Sequence, residues 1–365
     1  MAEPLFHLSR ALFTPEEKTL LTMGPVTVRA FRYASGVEAL RFLNPRGEVI
    51  VLPYLGQMVW RAAMGGVELG MASPFAEPRP APDILGTYGC LAYHSGLLRN
   101  GVPGPEDTHP VHGEFPTLPM DEAFLVLGHE GGSAAVRLES EVTYLRAFGP
   151  HYRARAHFAF GEDTLFEMGI EVENRAPRPM DLMYMCHVNF AFVPNGEILQ
   201  PVPFTPERTV LRRAIPAHVR PHPAYLARLE EWAQAPEKLA RLDPLYPYDP
   251  EIVFYLRDMP ADADGLTHAL LRRPEGDAFA LSYDPRALPF AVRWLYADGA
   301  TAVAAFLLPA TCEPEGYTAE KRKGHVRELA PGARASFRVR LGYLDPGRAA
   351  EYAARVAALA DGNRA

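Results

Sequence analysis

Residues 135–173 read AVRLESEVTYLRAFGPHYRARAHFAFGEDTLFEMGIEVE, and this stretch indicates the fold class. Within it the segments 135–147, 152–160 and 164–173 alternate between apolar and polar residues or are rich in β-branched and aromatic residues. Such segments are typical of half-buried strands, and the Gly and Pro residues between them are typical of turns. The stretch therefore predicts three consecutive antiparallel strands.

The same pattern continues through most of the chain. Its 36 prolines and 29 glycines are spread along the sequence and divide it into short segments. Further predicted strands are residues 48–55, 182–193, 278–283, 290–296, 301–308 and 335–343. This many strands without helices between them argue against a βαβ fold and favour an all-β antiparallel fold.

Two stretches depart from the strand pattern. Residues 223–242, PAYLARLEEWAQAPEKLARL, place apolar residues at helical spacing, and residues 347–359, GRAAEYAARVAAL, are rich in alanine with a helical period. The chain shows no repeat of fixed period and no Ser/Gly linker. We therefore expect a single domain spanning residues 1–365, with a helical insertion at about 205–245 and a C-terminal helix.

Composition argues against several classes of partner. The chain has 37 basic and 44 acidic residues, a net charge of −7, and no long Lys/Arg run, so nucleic acid is not an expected partner. The first thirty residues lack a sustained apolar stretch, so we expect no signal peptide, no membrane partner and a cytoplasmic location. Cys90, Cys186 and Cys312 have no CxxC spacing and are interpreted as small buried residues.

The segment 87–114, TYGCLAYHSGLLRNGVPGPEDTHPVHGE, concentrates ionisable residues among turn-forming residues. Loops held by a rigid scaffold often carry binding and catalysis. The histidines of this segment can exchange protons or bind metal near neutral pH, and its acidic residues can orient them. These residues are His94, Glu106, Asp107, His109, His112 and Glu114. The alternative is a solvated turn with stray histidines.

The segment 181–194, DLMYMCHVNFAFVP, can be divided into two faces because alternate side chains of a strand point to opposite sides. The face from Leu182 to Phe192 is apolar and is predicted to be core. The opposite face carries His187 and Asn189. This pair is either a buried imidazole with one satisfying hydrogen bond or a pair that faces a ligand, with His187 as an acid or base.

Several motifs carry a resemblance to a known family. HGE at 112–114, HVNF at 187–190, and LLPAT at 307–311 followed by EGY at 315–317 resemble the aldose 1-epimerase, or galactose mutarotase, superfamily. The chain looks like the uncharacterised mutarotase-like branch of that superfamily, over roughly residues 52–344. The resemblance implies a large antiparallel β-supersandwich, with a small helical insertion and a C-terminal helix in this chain.

The resemblance also implies an activity and roles for particular residues. Enzymes of the superfamily open and reclose the ring of an aldose and so interconvert its anomers. By this resemblance His187 would protonate the ring oxygen, His112 would position the sugar, and Arg61 or Arg99 would contact it. No cofactor is implied, the expected partner is a small-molecule sugar, and a homodimer is an assembly that the sequence leaves open.

One position departs from the family pattern. The superfamily places its catalytic glutamate at the end of a late strand, and the matching residue here is Leu308. Leucine cannot accept a proton, so another carboxylate would have to replace it. The candidates are Glu313 and Glu315, or Glu106, Asp107 and Glu114 in the opening loop. The sequence does not decide among them.

The remaining candidates concern sugar contact. A sugar site favours an aromatic platform next to hydrogen-bonding groups, and Tyr88, Tyr93 and Trp294 could provide one, although each could equally be core. The residues expected to contact substrate are His94, Glu106, Asp107, His109, Glu114, Asn189, Trp294 and Arg61.

Two other functions stay open from sequence. A metal-dependent sugar isomerase would draw its ligands from His94, His109, His112 and Glu114. A carbohydrate-binding protein without catalysis is suggested by Leu308. The leading hypothesis is an isomerase of the aldose 1-epimerase type that works by general acid/base catalysis.

Overall fold

The structure is a computed structural model that describes residues 4–130, 133–215 and 219–362. The first strands are β1 (Leu5–His7), β2 (Lys18–Met23), β3 (Val26–Arg32), β4 (Glu38–Asn44), β5 (Gly47–Val51), β6 (Val59–Met64), β7 (Val67–Glu68), β8 (Ala92–Leu97), β9 (Glu122–Glu130), β10 (Ser133–Leu145) and β11 (His151–Phe160). They are followed by β12 (Leu165–Asn174), β13 (Met180–Val188), β14 (Glu197–Leu199), β15 (Thr209–Leu211), β16 (Tyr248–Leu256), β17 (Thr267–Arg272), β18 (Ala278–Tyr283), β19 (Phe290–Ala297), β20 (Ala302–Ala310), β21 (Arg327–Leu329) and β22 (Arg334–Leu344).

The strands form two antiparallel sheets. The first has the order β1-β9-β10-β11-β12-β22-β18-β17-β14, and the second has the order β15-β16-β19-β20-β13-β8-β6-β5-β4-β3-β2. The three strands predicted from residues 135–173 are β10, β11 and β12, which are neighbours in the first sheet. The predicted all-β antiparallel fold is confirmed.

Helices are few and lie outside the sheets. They are α1 (Pro223–Gln234), α2 (Tyr317–Lys323) and α3 (Pro346–Gly362), with 3-10 turns at Arg10–Leu12, Ile84–Thr87 and Pro236–Leu239. The predicted helix over 223–242 ends at Gln234 because Pro236 lacks the N–H that would continue it. Residues 216–218 of the predicted helical insertion lie outside the described residues. No helix in the described part of the chain is long and apolar enough to cross a bilayer.

Aromatic pairs join the two sheets across the core. Tyr184 of β13 stacks on Phe337 of β22 with ring centroids 4.7 Å apart. Phe42 of β4 meets Phe158 of β11 at 5.0 Å. Dispersion and burial of such rings supply much of the attraction between packed sheets. One face of the second sheet is therefore core, and its opposite face is free to carry a site.

Strand β13 shows this division residue by residue. Tyr184, Cys186 and Val188 are completely buried in the main core, as the alternation predicted. His187 points to the opposite side. The strand ends at Val188, earlier than the predicted end at 193, and the chain then continues through isolated bridges made by Phe190 and Ala191.

Candidate functional site

A cavity of about 350 Å³ lies on the face of the second sheet that is turned away from the core. Strands β13, β20, β19 and β16, which are consecutive in the sheet, form its floor. The loop between β8 and β9 covers one side. Most of its lining is apolar or aromatic, and its ionisable residues are His112, His187, Arg212 and Glu251, with Tyr88 and Tyr296. This composition is typical of a small-molecule site with a few orienting polar groups.

Two imidazoles meet at one wall of the cavity. His187 lies opposite Tyr93 in the register of β13 with β8, and their rings stack at 4.7 Å. The ring of His112 meets that of His187 edge to face at 4.8 Å. Tyr88 brings its hydroxyl to 3.5 Å from Nε2 of His187. The two histidines that the resemblance singled out are thus in contact.

The backbone of the covering loop explains why the motif reads HGE. Gly113 has φ +79°, and a Cβ at this position would lie 2.1 Å from the carbonyl oxygen of Arg99. Only glycine tolerates this conformation and this approach. His112 itself has φ +61°, and its backbone N–H donates to the carbonyl of Gly101. The loop therefore holds the imidazole of His112 over the cavity.

The electrostatic surroundings of His187 keep it uncharged. Burial lowers the pKa of His187 well below its usual range, the nearby His112 lowers it further, and the carboxamide of Asn189 partly opposes both. Its Nδ1 is buried and has no hydrogen-bond partner of good geometry among the described residues. Asn189, which was expected to contact the sugar, is completely buried, donates to the carbonyl of Cys90 and does not line the cavity.

The opposite wall contains a carboxylate and a guanidinium that sequence reasoning missed. Glu251 on β16 accepts hydrogen bonds from Arg212 and, at 2.7 Å, from Nε1 of Trp294. Arg212 follows β15, and its backbone N–H donates to the carbonyl of Val253. Nearby carboxylates, Glu251 foremost, raise the pKa of Arg212 against the effect of burial. In the sequence, the feature that could have pointed to Glu251 is its position directly before the apolar run IVFYL at 252–256.

Aromatic side chains connect the two walls. The Trp294 indole lies 5.8 Å from the His187 ring and 5.9 Å from the Tyr88 ring, in edge-on orientations. Both Trp294 and Tyr88 line the cavity, whereas Tyr93 is completely buried behind His187. Leu308 of β20 also lines the cavity. Its position there agrees with its alignment to the catalytic glutamate of the superfamily.

The ionisable residues of the 87–114 loop separate into three environments. His112 faces the cavity. Four others line a different, open groove of about 710 Å³, namely Glu106, Asp107, His109 and Glu114. His94 is completely buried and bonds the hydroxyl of Tyr184 through Nδ1 at 2.9 Å.

Within that groove the acidic side chains have structural partners. Glu106 pairs with Arg322 at the surface. Asp107 accepts from the backbone N–H and hydroxyl of Thr318. Glu114 accepts from the N–H groups of residues 97 and 98 and from Tyr152, while burial raises its pKa.

The other predicted catalytic and sugar-contacting residues lie outside the cavity. Glu313 is buried between Lys323 and Arg257. Glu315 bonds the Tyr255 hydroxyl, reaches Nε of Arg212 at 4.0 Å and does not line the cavity. Two arginines were expected to contact the sugar. Arg61 pairs with Glu68 at the surface, and Arg99 lies over Tyr317 beside the groove.

The four residues considered as metal ligands do not converge. His94 is inside the core, His109 and Glu114 line the groove, and His112 faces the cavity. Among the described residues, the ligand-type side chains that do come within 4.8 Å of one another are Glu313, Glu320 and His325. There the ammonium of Lys323 bonds both glutamates at 2.8 Å, which makes this cluster a buried ion network.

Comparisons with known proteins agree with the fold. A structure from Klebsiella pneumoniae subsp. pneumoniae MGH 78578, described as a "putative aldose 1-epimerase", superposes with TM-score 0.78 at 17% identity, over 94% of this chain and 91% of that chain. A galactose mutarotase-like protein from Clostridium acetobutylicum gives TM-score 0.57 at 14% identity, over 90% and 98% of the two chains. A galactose mutarotase related enzyme from Lactobacillus acidophilus gives 0.52 at 13% identity, over 84% and 98%.

These likenesses confirm, at the level of the fold, the resemblance carried by HGE, HVNF and LLPAT. No curated protein matches the sequence. A family model described as "Domain of unknown function (DUF4432)" matches residues 34–343, which is most of the chain. The chain therefore belongs to the DUF4432 family, and its fold is that of the mutarotase-like superfamily.

Proposed function

We propose that this protein is a carbohydrate-active isomerase that interconverts the anomers of an aldose by general acid/base catalysis. The observation that carries the proposal is the contact between His187 and His112, 4.8 Å apart, at the wall of a cavity with an aromatic side. The C–H face of a sugar packs well on an indole such as Trp294, and polar groups around it orient the hydroxyls. A monosaccharide fits a cavity of about 350 Å³.

The reaction requires a balanced movement of two protons. A proton leaves the anomeric hydroxyl, the bond between C1 and the ring oxygen breaks, and the ring oxygen takes up a proton. Rotation of the open-chain carbonyl and the reverse steps give the other anomer. In this proposal His187 delivers the proton to the ring oxygen, and His112 orients the sugar.

This assignment makes the rate depend on pH in a defined direction. Because burial and His112 lower the pKa of His187, the imidazolium is the minor form at neutral pH in the free protein. The proton donor becomes more populated as the pH falls toward that pKa. We therefore expect kcat/KM to be higher at about pH 6 than at about pH 8.

The test is polarimetry of freshly dissolved pure α and β anomers of several uncharged aldoses. Wild-type protein should accelerate the change of rotation for at least one sugar, and His187→Ala should lose roughly 10²- to 10⁴-fold in rate. His157→Ala is the matched control, since His157 pairs with Glu167 in the first sheet, far from the cavity. A wild-type rate equal to that of buffer for every sugar would contradict the proposal.

A second candidate is a sugar-binding protein without turnover, and the presence of Leu308 in the cavity favours it. Such a protein would be stabilised against heat by its sugar without accelerating anomer exchange. The same anomers added in a thermal unfolding assay separate the two candidates. The cytoplasm and a small-molecule sugar stay our proposed location and partner, on the sequence grounds given above.

A further inference from the structure

We propose that Glu251 is the proton acceptor of this site, in place of the carboxylate that is missing at Leu308. The proposal rests on the proposed isomerase function. It concerns which strand supplies the base, since Glu251 lies on β16 whereas Leu308 lies on β20.

The described residues that line the cavity include one acidic side chain that could accept the proton. Among the described residues that line the cavity, the carboxylate is Glu251. His112 and His187 are in contact at the same wall, so they approach a bound sugar from one side. Leu308 occupies the floor and has no group that can accept a proton.

Trp294 connects Glu251 to His187 along one side of the cavity. The strands between them run β16-β19-β20-β13, so the two residues are three strand spacings apart across the sheet, about 14 Å at the usual separation, and the register offsets Glu251 by a further four residues along its strand. Both side chains extend from the sheet into the cavity, and Trp294 of β19 touches both of them. The indole therefore lies between the imidazole and the carboxylate, and a sugar packed on its face lies near both groups.

The surroundings of Glu251 fix its position. Arg212 and Nε1 of Trp294 each donate to a different carboxylate oxygen. The hydroxyl of Tyr225 in α1 donates to the backbone carbonyl of Glu251 at 2.9 Å.

The chemical step then balances without another reactant. The proton of the anomeric hydroxyl passes to Glu251 while the bond between C1 and the ring oxygen breaks and His187 protonates the ring oxygen. When the ring closes on the opposite face of the carbonyl, Glu251 gives its proton to the carbonyl oxygen and His187 takes the proton of the attacking hydroxyl, which restores both groups. Arg212 keeps its charge throughout and acts as a positioning residue.

The neighbouring carboxylates are less suitable. Glu315 shares Arg212 with Glu251, but it bonds Tyr255 and does not line the cavity. Glu313 is buried between two cations outside the cavity. Neither is among the residues that line the cavity.

The test uses the full chain and the anomer assay described above. Glu251→Gln keeps the size of the side chain and an acceptor for Trp294 but removes the base, so kcat should fall roughly 10²- to 10⁴-fold with a smaller change in KM. Glu197→Gln is the matched control, because it removes a carboxylate from an arginine pair, with Arg272, at a distance from the cavity. Circular dichroism and the melting temperature report whether each variant folds.

The outcomes separate this proposal from the proposed function. A wild-type protein that accelerates no aldose ends both. An active wild type with a Glu251→Gln rate within roughly tenfold overturns the role of Glu251 alone, as does a loss found in Glu315→Gln instead. If Glu251→Gln does not fold, Glu251→Asp, which withdraws the carboxylate by one methylene, should still lower kcat, and a wild-type rate for it would also overturn the proposal.

Discussion

At the scale of single residues, His94 on β8 and His112 in the following loop show two different uses of the same side chain. His112 faces the cavity, whereas His94 is completely buried against Tyr184. Burial, with a smaller contribution from His157, lowers the pKa of His94 to about 3. The imidazole of His94 is therefore a neutral structural group at physiological pH.

This gives a prediction about stability and pH. The unfolded chain protonates this imidazole near pH 6.5, while the folded protein does so only at about pH 3. Between these values the unfolded state binds more protons, so the free energy of unfolding falls as the pH drops. The contribution of His94 should decrease by roughly 2 kcal/mol between pH 7 and pH 5.

Urea unfolding at the two pH values measures this effect. His94→Gln has no group that titrates in this range and should lose clearly less stability than the wild type between them. Buried His187 titrates in the same direction in both proteins, so the comparison isolates His94. Equal losses in the two proteins would contradict the assignment.

At the scale of elements, the C-terminal helix α3 begins with a strong start signal. Asp345 accepts the N–H of Arg348 at 3.0 Å through its side chain, and Pro346 occupies the first helical position. This is a side-chain cap followed by a residue whose missing N–H would have no partner in any case. The helix packs Ala349 against a small cluster that includes Leu344 and Leu270.

Removing that cap should destabilise the protein modestly. Asp345→Ala leaves the N–H of Arg348 without its partner and should cost about 1 kcal/mol in the free energy of unfolding. Asp345→Asn keeps a capping oxygen and should cost much less. Denaturant unfolding curves of the three proteins check this, and equal midpoints for Ala and Asn would refute the capping role.

At the scale of the whole molecule, the same strands build the core and the site. In β13, Tyr184 stacks on Phe337 of the first sheet while His187, three residues later, faces the cavity. Packing between the sheets therefore fixes the floor on which the candidate catalytic groups stand.

Truncating the partner ring tests that coupling. Phe337 is 1% exposed, and Phe337→Ala should cost roughly 3 to 5 kcal/mol through lost burial and an unfilled space. Arg338→Ala on the same strand is the control, since its pair with Glu167 is long, at 3.9 Å, and 68% of the arginine side chain is exposed. Surface pairs of this kind contribute roughly 1 kcal/mol or less. Similar losses for the two variants, by urea unfolding, would show that the sheets are not joined here.

The sequence by itself determined the class of the fold and one wall of the site. Alternation is a local property with a period of two residues, so residues 135–173 predicted three adjacent strands, and residues 181–194 predicted which face of β13 is core. The motifs HGE and HVNF likewise pointed to His112 and His187, which the structure brings into contact. The sequence also contains the reason why α1 ends at Gln234 and not at the predicted residue 242, because Pro236 cannot continue the helix.

Only the tertiary structure decided the other wall. Glu251 and Arg212 come from strands distant in sequence from β13, and the pairing of strands that places them across the cavity depends on contacts between remote segments. The segment 87–114 was equally undecided. His94 lies on β8 opposite Cys186 and faces the core, whereas the loop after β8 directs His112 to the cavity and four other residues to a separate groove. Periodicity fixes which side of its own strand a residue faces. Its neighbours across the sheet are set by long-range pairing, which no local pattern encodes.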